Sequence, residues 1–259
     1  MNIMVIGDIC GRPGRQAAAH YIPKLKTEYN INCIIANGEN AAGGVGITLP
    51  VYEELMSMGI DIVTTGNHVW DKKEIFDFID KAEFLLRPAN YPLGTPGKGY
   101  TIIPVGPYNI GIVNLAGRVF MPPVDCPFRT ADEIISKLET QCDFVVVDFH
   151  AEATSEKMAL GWFLDGRISC LVGTHTHIQT ADERIFPKGT AYISDLGMVG
   201  PYHSILGVDK EPVIRKFLTG LPVKFSVATG ESIFCAIIVV IDDHSGKAVS
   251  VTRIQNHFV

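Results

Sequence analysis

A chain of 259 residues, 47% of them hydrophobic, has enough apolar material for one large α/β domain or two small ones. Its formal net charge of −6 is spread over both halves without a Lys/Arg block, which argues against a surface built for long nucleic acid or an anionic membrane. Six cysteines lie without Cys-x-x-Cys spacing, several inside apolar runs, and read as reduced, mostly buried small hydrophobes. The chain opens directly on a strand pattern with no basic n-region or cleavage site. The longest apolar run, 233–241, is far too short for a bilayer, so a cytoplasmic protein that makes no use of a membrane is expected.

In chain order, the apolar run 3–6 is a first strand, followed by a helical pattern over 13–29. The run 33–36 precedes a helix over 49–58, and the run 62–65 precedes a helix over 71–79. This alternation implies βαβ units in a largely parallel sheet whose strand carboxyl ends share one edge, where open α/β sheets bind ligands. Residues 88–99, rich in Pro and Gly, form a long loop before two antiparallel strands at 100–105 and 109–115. A second loop over 116–128 leads to a helix over 130–140 and then to the run 144–147. A further helix follows His150, with Ser155 as its N-cap and Gly166 as its stop, before the run 168–172. The remainder is strand-rich, at 224–228, 232–241 and 248–254, the last two joined by the turn 242–247. No repeat or linker divides the chain, which predicts one domain over 1–259, with two sheets packed face to face and helices outside.

Five of these apolar runs end in Asp, Glu, Asn or His. They lead into Gly7-Asp8-Ile9-Cys10-Gly11, Asn37-Gly38-Glu39-Asn40, Gly66-Asn67-His68, Asp148-Phe149-His150-Ala151-Glu152 and Gly173-Thr174-His175-Thr176-His177. His-x-His off a strand end can aim two rings at neighbouring coordination positions, and one such pair alone is weak evidence. Chance explains one or two polar endings, not five. Two metal ions held close together need a bridging carboxylate, several terminal ligands and open positions, and Asp8, Glu39, Asn40, Asn67, His150, His175 and His177 supply that set. Mixed imidazole and oxygen donors suit Fe, Mn or Zn better than Mg or Ca.

Each residue also has a plainer reading. Asp8 can cap a turn, Asn40 can shape the glycine-rich bend at 43–46, and Asp71 fits a helix N-cap better than a partner for His68. Gly43-Gly44-Val45-Gly46 lacks the Gly-Lys-Ser/Thr ending of a P-loop and reads as backbone flexibility. Arg12 and Arg15 read as a solvated helix terminus. Glu152 either holds an imidazole from outside or faces solvent, and Asp195 and His203 are candidates for the pocket wall. His20, His244 and His257 have no partner motif and read as surface residues.

Taken together, Gly7-Asp8, Gly66-Asn67-His68, His150 and Gly173-Thr174-His175-Thr176-His177 resemble the ordered motifs of the calcineurin-like metallophosphoesterases. Residues Asn37 to Gly44, Asp148 to Lys157 and Ser194-Asp195-Leu196-Gly197-Met198 resemble more closely the bacterial YmdB-like branch of that superfamily, and the likeness covers nearly the whole chain. Two departures from the wider superfamily, Cys10 where a His ligand is usual and Glu39 where the bridging Asp is usual, are similar to that branch. The resemblance implies an α/β/β/α sandwich of two facing mixed β-sheets flanked by helices. It also implies Asp8, Glu39, Asn40 and His177 on one metal, with Glu39, Asn67, His150 and His175 on the other, and leaves Cys10 as packing.

The activity so implied is that of a dinuclear metal-dependent phosphodiesterase acting on 2′,3′-cyclic and also 3′,5′-cyclic nucleotides. A hydroxide bridging metals about 3.5–4 Å apart would attack phosphorus in line. His68 would protonate the departing oxygen, an effect worth roughly 10²–10⁴-fold. The expected cofactors are two metal ions, Fe (Fe3+/Fe2+) or Mn2+ ahead of Zn2+. The expected partner is a small phosphodiester, and the resemblance alone suggests a homo-oligomer. Rival readings keep the site for a phosphomonoesterase or nuclease, or make the protein a nucleotide-sensing regulator or scaffold with little turnover. The charge pattern offers a nuclease no basic groove, and a pure binding site has no need of a positioned acid at His68.

Overall fold

Alternate side chains of the first strand, β1 (Asn2–Ile6), enter two different apolar layers in the computed structural model, which describes residues 1–259. Ile3 and Val5 join Ile110, Ile112, Phe144 and Val146, whereas Met4 and Ile6 join Ala17, Ala18 and Ile22. Such alternation puts a strand between two packed layers. β1 pairs in parallel with β3 (Cys33–Asn37), which continues through β4 (Ile62–Thr64) to β5 (Leu85–Leu86). On its other side β1 pairs antiparallel with β13 (Ser232–Ile241), which also carries β14 (Ala248–Phe258) and β12 (Met198–Pro201). The short β2 (Asp8–Ile9) closes that edge by pairing with β12.

The second sheet runs β10 (Arg184–Ile185), β11 (Ala191–Ile193), β9 (Cys170–Thr174), β8 (Phe144–His150), β7 (Tyr108–Ala116) and β6 (Tyr100–Val105). Its inner strands are parallel and its two edges antiparallel. Helices α1 (Gly11–Glu28), α2 (Leu49–Ser57) and α3 (Ile75–Phe78) cover the outer face of the first sheet. Helices α4 (Pro127–Leu138) and α5 (Thr154–Leu164) cover that of the second. The layers are therefore α/β/β/α, with two mixed sheets facing each other. Fully burying one aliphatic side chain is worth about 1.5–3 kcal/mol relative to exposure. The inter-sheet layer built on Ile3, Val5, Ile35, Ile112, Val146 and Val172 is thus what presses the sheets together.

Several expected elements differ. The helix expected over 71–79 shrinks to the single turn of α3, because residues 71–74 form turns and bends. Ser155 lies inside α5; the N-cap position is Ala153, which makes no side-chain cap. That helix ends at Leu164, with Gly166 just beyond it at φ 85°. No strand forms over 224–228, where Val227 makes only an isolated bridge to Val208. Conversely β2, β5, β10, β11, β12 and the helix α6 (Lys210–Thr219), which buries only Val213, have no counterpart among the expected elements. No helix is long and apolar enough to cross a membrane.

Toward the carboxyl ends of the strands the inter-sheet layer becomes polar. Asp148 of β8 is buried, and its Oδ2 accepts hydrogen bonds from Asn37 Nδ2 (3.2 Å) on β3 and from Thr64 Oγ1 on β4. Its Oδ1 accepts from Thr174 Oγ1 on β9 at 2.8 Å. Burial pushes this carboxyl up from its ordinary value, and the three donors oppose that shift. One side chain thus ties the two sheets. Asp148→Ala leaves those buried donors unpaired at about 1–3 kcal/mol each. The expected outcome is a loss of about 3 kcal/mol or more of unfolding free energy in urea, with Asp148→Asn losing less because it keeps an acceptor.

Candidate metal centre

The parallel strands of both sheets deliver polar side chains to one rim. Asp8 follows β1 after Gly7, Glu39 and Asn40 follow β3, Asn67 and His68 follow β4, His150 closes β8, and His175 and His177 follow β9. Asp8, Glu39, Asn40 and His150 are buried, while Asn67, His68, His175 and His177 are partly buried. His150 Nε2 lies 3.0 Å from Glu39 Oε1, 3.0 Å from Asn67 Oδ1 and 3.0 Å from His175 Nδ1. Glu39 Oε1 is also 3.3 Å from the Asn40 amide, which lies 3.1 Å from His177 Nε2. His177 Nε2 is in turn 3.9 Å from Asp8 Oδ1. All seven expected residues therefore form one continuous cluster, with Glu39 shared between its two lobes.

The outer nitrogen of each imidazole has a fixed acceptor. Thr174 Oγ1 gives its proton to Asp148, so at 2.9 Å it accepts from His150 Nδ1. His177 Nδ1 donates to the Leu206 carbonyl at 3.0 Å. His175 Nε2 faces the Glu152 carboxylate at 3.1 Å. Three ring lone pairs consequently point inward, at His150 Nε2, His175 Nδ1 and His177 Nε2. Outer acceptors of this kind fix the tautomer and raise the basicity of a ligating histidine.

The electrostatics call for a cation. Burial lifts the Asp8 carboxyl to about 6, and its Oδ1 is a buried oxygen without a hydrogen-bond partner. Burial also acts to raise Glu39, but His150 and His68 together outweigh that and hold it at about 2. Burial acts to lower His150, whereas the carboxylates of Glu39, Asp8 and Asp148 lift it to about 9. Burial and the neighbouring His150 bring His175 down to about 3. A proton on His150 Nε2 and a metal ion compete for the same position, and the carboxylates that favour one favour the other. Ligand atoms about 2.1 Å from an ion and at right angles to each other lie about 3.0 Å apart, as the atoms around His150 Nε2 do. The donor set thus fits transition-metal ions. Strain points to the same place: His175 and His177 have φ of 104° and 65°, which costs about 1–3 kcal/mol each in non-glycine residues.

His68 stands at the edge of this cluster. Its backbone N–H donates to Glu39 Oε2 at 3.0 Å, and its Nδ1 bonds Asp71 Oδ2 at 2.7 Å, leaving Nε2 free on a ring that is 39% exposed. Asp71 is therefore a partner of His68; it caps nothing, since α3 begins only at Ile75. Cys10 packs among Gly200 and Gly207, and burial first and Asp8 second push its thiol up to about 12, as suits packing. Arg15 donates to the Ala41 carbonyl (2.6 Å) and to Glu54 (2.8 Å), bracing the glycine bend. Arg12 is exposed. His20 and His257 bond Lys24 and Glu231, His203 lies 3.4 Å from Glu231, and none of the three takes part in the cluster. Asp195 is a buried wall beneath the His-x-His loop. The residues missed are Asp148 and Thr174, which hold His150 from behind. Their signal was present in the Asp-x-His alternation of β8 and in the threonine just before His175.

The model of the family described as YmdB-like protein matches residues 4–254. The chain is 54% identical to the 2′,3′-cyclic-nucleotide 2′-phosphodiesterase of Bacillus subtilis (strain 168), over 98% of this chain and 96% of that protein. Among solved structures, a Mycoplasma pneumoniae protein described as a novel phosphatase superposes with a TM-score of 0.94 at 34% identity, covering 99% of this chain and 93% of the other. A hypothetical protein from Thermus thermophilus does so with a TM-score of 0.93 at 43% identity, covering 99% of both.

Close approach of backbone to ring sets one further constraint. A Cβ on Gly66 would meet the His150 ring at 2.2 Å, so no side chain fits there while the imidazole keeps its place. Overpacking of this kind costs typically about 1–3 kcal/mol. Gly66→Ala is expected to lower unfolding free energy by that amount in chemical denaturation, with the His150 ring resonances shifted in NMR spectra.

Proposed function

The chain belongs to the YmdB-like family, and on that premise we propose that its rim holds two metal ions and hydrolyses cyclic nucleotides. It is a phosphoric diester hydrolase of the metallophosphoesterase type, a reading supported by 54% identity to the Bacillus subtilis phosphodiesterase. The observation that carries the site assignment is the convergence of three inward imidazole lone pairs and an unpartnered Asp8 oxygen, with His68 tied to the same cluster through its backbone bond to Glu39. Asp8, Glu39, Asn40 and His177 would hold one ion, and Glu39, Asn67, His150 and His175 the other, with Glu39 shared. For this the Asn40 side chain, whose Nδ2 faces Glu39 and His177, would present its oxygen to the ion. Iron or manganese is favoured over zinc. When bound, the two ions supply Lewis-acid polarisation of the phosphate and an activated water.

The remaining chemistry falls to the chain. Glu39 fixes the His68 backbone through its N–H, and Asp71 fixes the ring, so that the Nε2 proton has a set direction. With a 2′,3′-cyclic nucleotide, the oxygen of water joins phosphorus as the bond from phosphorus to O2′ breaks. The His68 Nε2 proton goes to the departing O2′, and the phosphate stays on O3′, so the product is a nucleoside 3′-phosphate. Water's own proton restores His68. A 3′,5′-cyclic substrate asks the same of Nε2 with a different leaving oxygen. The absence of any Lys/Arg block, at a net charge of −6, favours a small substrate over long nucleic acid. Free thiols at all six cysteines suit a reducing compartment, and we assign the cytoplasm.

The test is hydrolysis of bis-p-nitrophenyl phosphate and 2′,3′-cyclic AMP by purified protein with Mn2+ or Fe2+. Chelation is expected to abolish turnover, and added Mn2+ to restore it. His68→Ala is expected to lower kcat by roughly 10²–10⁴-fold while metal content stays at the wild-type level. A folded chain that takes up less than one transition metal, or a fully metallated chain without turnover, overturns the reading. Including p-nitrophenyl phosphate tests a second reading, phosphomonoester hydrolysis, which the Mycoplasma pneumoniae structure's description as a phosphatase favours.

A further inference from the structure

Beneath the His-x-His loop lies an ion pair removed from water. Lys157 of α5 places Nζ 2.8 Å from Asp195 Oδ2, with side chains 2% and 1% exposed. Two charges buried this deeply persist only where pairing and hydrogen bonding are nearly complete. The rest of the Asp195 carboxylate is indeed in use. Its Oδ2 accepts from the Thr176 backbone N–H at 3.0 Å and from Thr176 Oγ1 at 2.7 Å, and its Oδ1 accepts from Gly197 N–H at 2.8 Å. The Gly197 carbonyl in turn accepts from the Asp8 backbone N–H at 3.0 Å.

The position of Thr176 gives this contact its meaning. It stands between His175 and His177, both in the left-handed region that non-glycine residues occupy only when their surroundings hold them there. Thr176 itself offers the cluster no donor atom. Its backbone and its hydroxyl both face Asp195, so the one residue between two strained histidines is gripped twice by a single carboxylate. The histidines on either side would serve different metal ions, and the same carboxylate reaches Asp8 through Gly197.

We infer that Lys157 and Asp195 act as a positioning pair that, through Thr176, holds His175 and His177 in their coordinating conformation and so governs both metal positions at once. This rests on the metal reading of the site. Asp195 supplies the grip, and the ion pair with Lys157 fixes that carboxylate in place where water cannot reach it. Neither residue is a ligand or touches substrate, which distinguishes the pair from Glu152, whose carboxylate meets a single imidazole and is half-exposed.

Removing Lys157 or Asp195 would strand a buried charge and endanger the fold, so the decisive substitutions are at Thr176. Thr176→Val deletes only the hydroxyl contact, and Thr176→Ser keeps it. The measurement is Mn2+ binding to the full chain by calorimetric titration against a competing chelator, with melting temperature followed in parallel. Loss of an outer partner typically weakens metal binding by about 10–100-fold. Thr176→Val is expected to weaken both Mn2+ binding steps by that order, with Thr176→Ser close to wild type and Asn67→Ala weakening one step alone. At saturating Mn2+ the Thr176→Val enzyme should recover most of its kcat. Wild-type affinity in Thr176→Val, or a lower melting temperature with unaltered binding, overturns the inference and leaves the proposed function standing. A wild-type chain that binds no Mn2+ overturns the proposed function itself.

Discussion

The carboxylate of Asp148 is the interaction on which the arrangement depends. The two sheets are pressed together by apolar contact, which has no direction and sets no register between facing strands. Asp148 supplies the direction. It reaches from β8 to Asn37 and Thr64 on the first sheet and to Thr174 beside it on the second. The Thr174 hydroxyl passes the constraint to His150 Nδ1, so the alignment of the sheets and the orientation of the central imidazole come from one side chain. A buried carboxylate is costly unless every lone pair is used, and here each partner is an atom whose position the rim requires.

The rim follows the same economy at a larger scale. Each strand places its last residues where polar atoms of another strand can meet them, and the polar groups satisfy one another in pairs that cross between the sheets. Glu39 is the clearest case: from the first sheet it meets His150 of the second, and it also fixes the backbone of His68 beyond the neighbouring strand β4. Charges that would be intolerable alone become mutually compensating, and one position in the cluster is left for positive charge.

The sequence is most legible where a short buried strand runs into a polar residue. Apolar runs at 3–6, 33–36, 62–65, 144–147 and 168–172 have no alternative but to lie in the core, and whatever follows them must emerge at the sheet edge. That logic points to the seven clustered residues but not to the role given to His68, which rests on the family resemblance. It failed where the determinants are not local. β11 and β12 are three and four residues long and exist because β9 and β13 supply partners. The α6 helix buries only Val213 and leaves Ile214, Phe217 and Leu218 exposed, so it is not anchored by a core stripe. Asp71 reads as a cap because capping and imidazole binding ask for the same side chain, and only the place where α3 begins separates the two. Asp148 was hidden by its own strand: an acidic residue between Val147 and Phe149 looks like an exposed alternation until the facing sheet turns it inward.

The place of β13 carries a consequence for biosynthesis. This strand, residues 232–241, lies between β1 and β12 in the first sheet, so the amino-terminal strand keeps an unpaired edge until the chain beyond residue 232 has been made. Pairings separated by more than two hundred residues close slowly and leave strand edges exposed meanwhile. During synthesis the emerging first half thus already carries Asp8, Glu39 and Asn67 but has no finished sheet to hold them. Nascent fragments therefore lack His150, His175 and His177 and the strand that closes the β1 edge, so the centre forms only after nearly the whole chain exists.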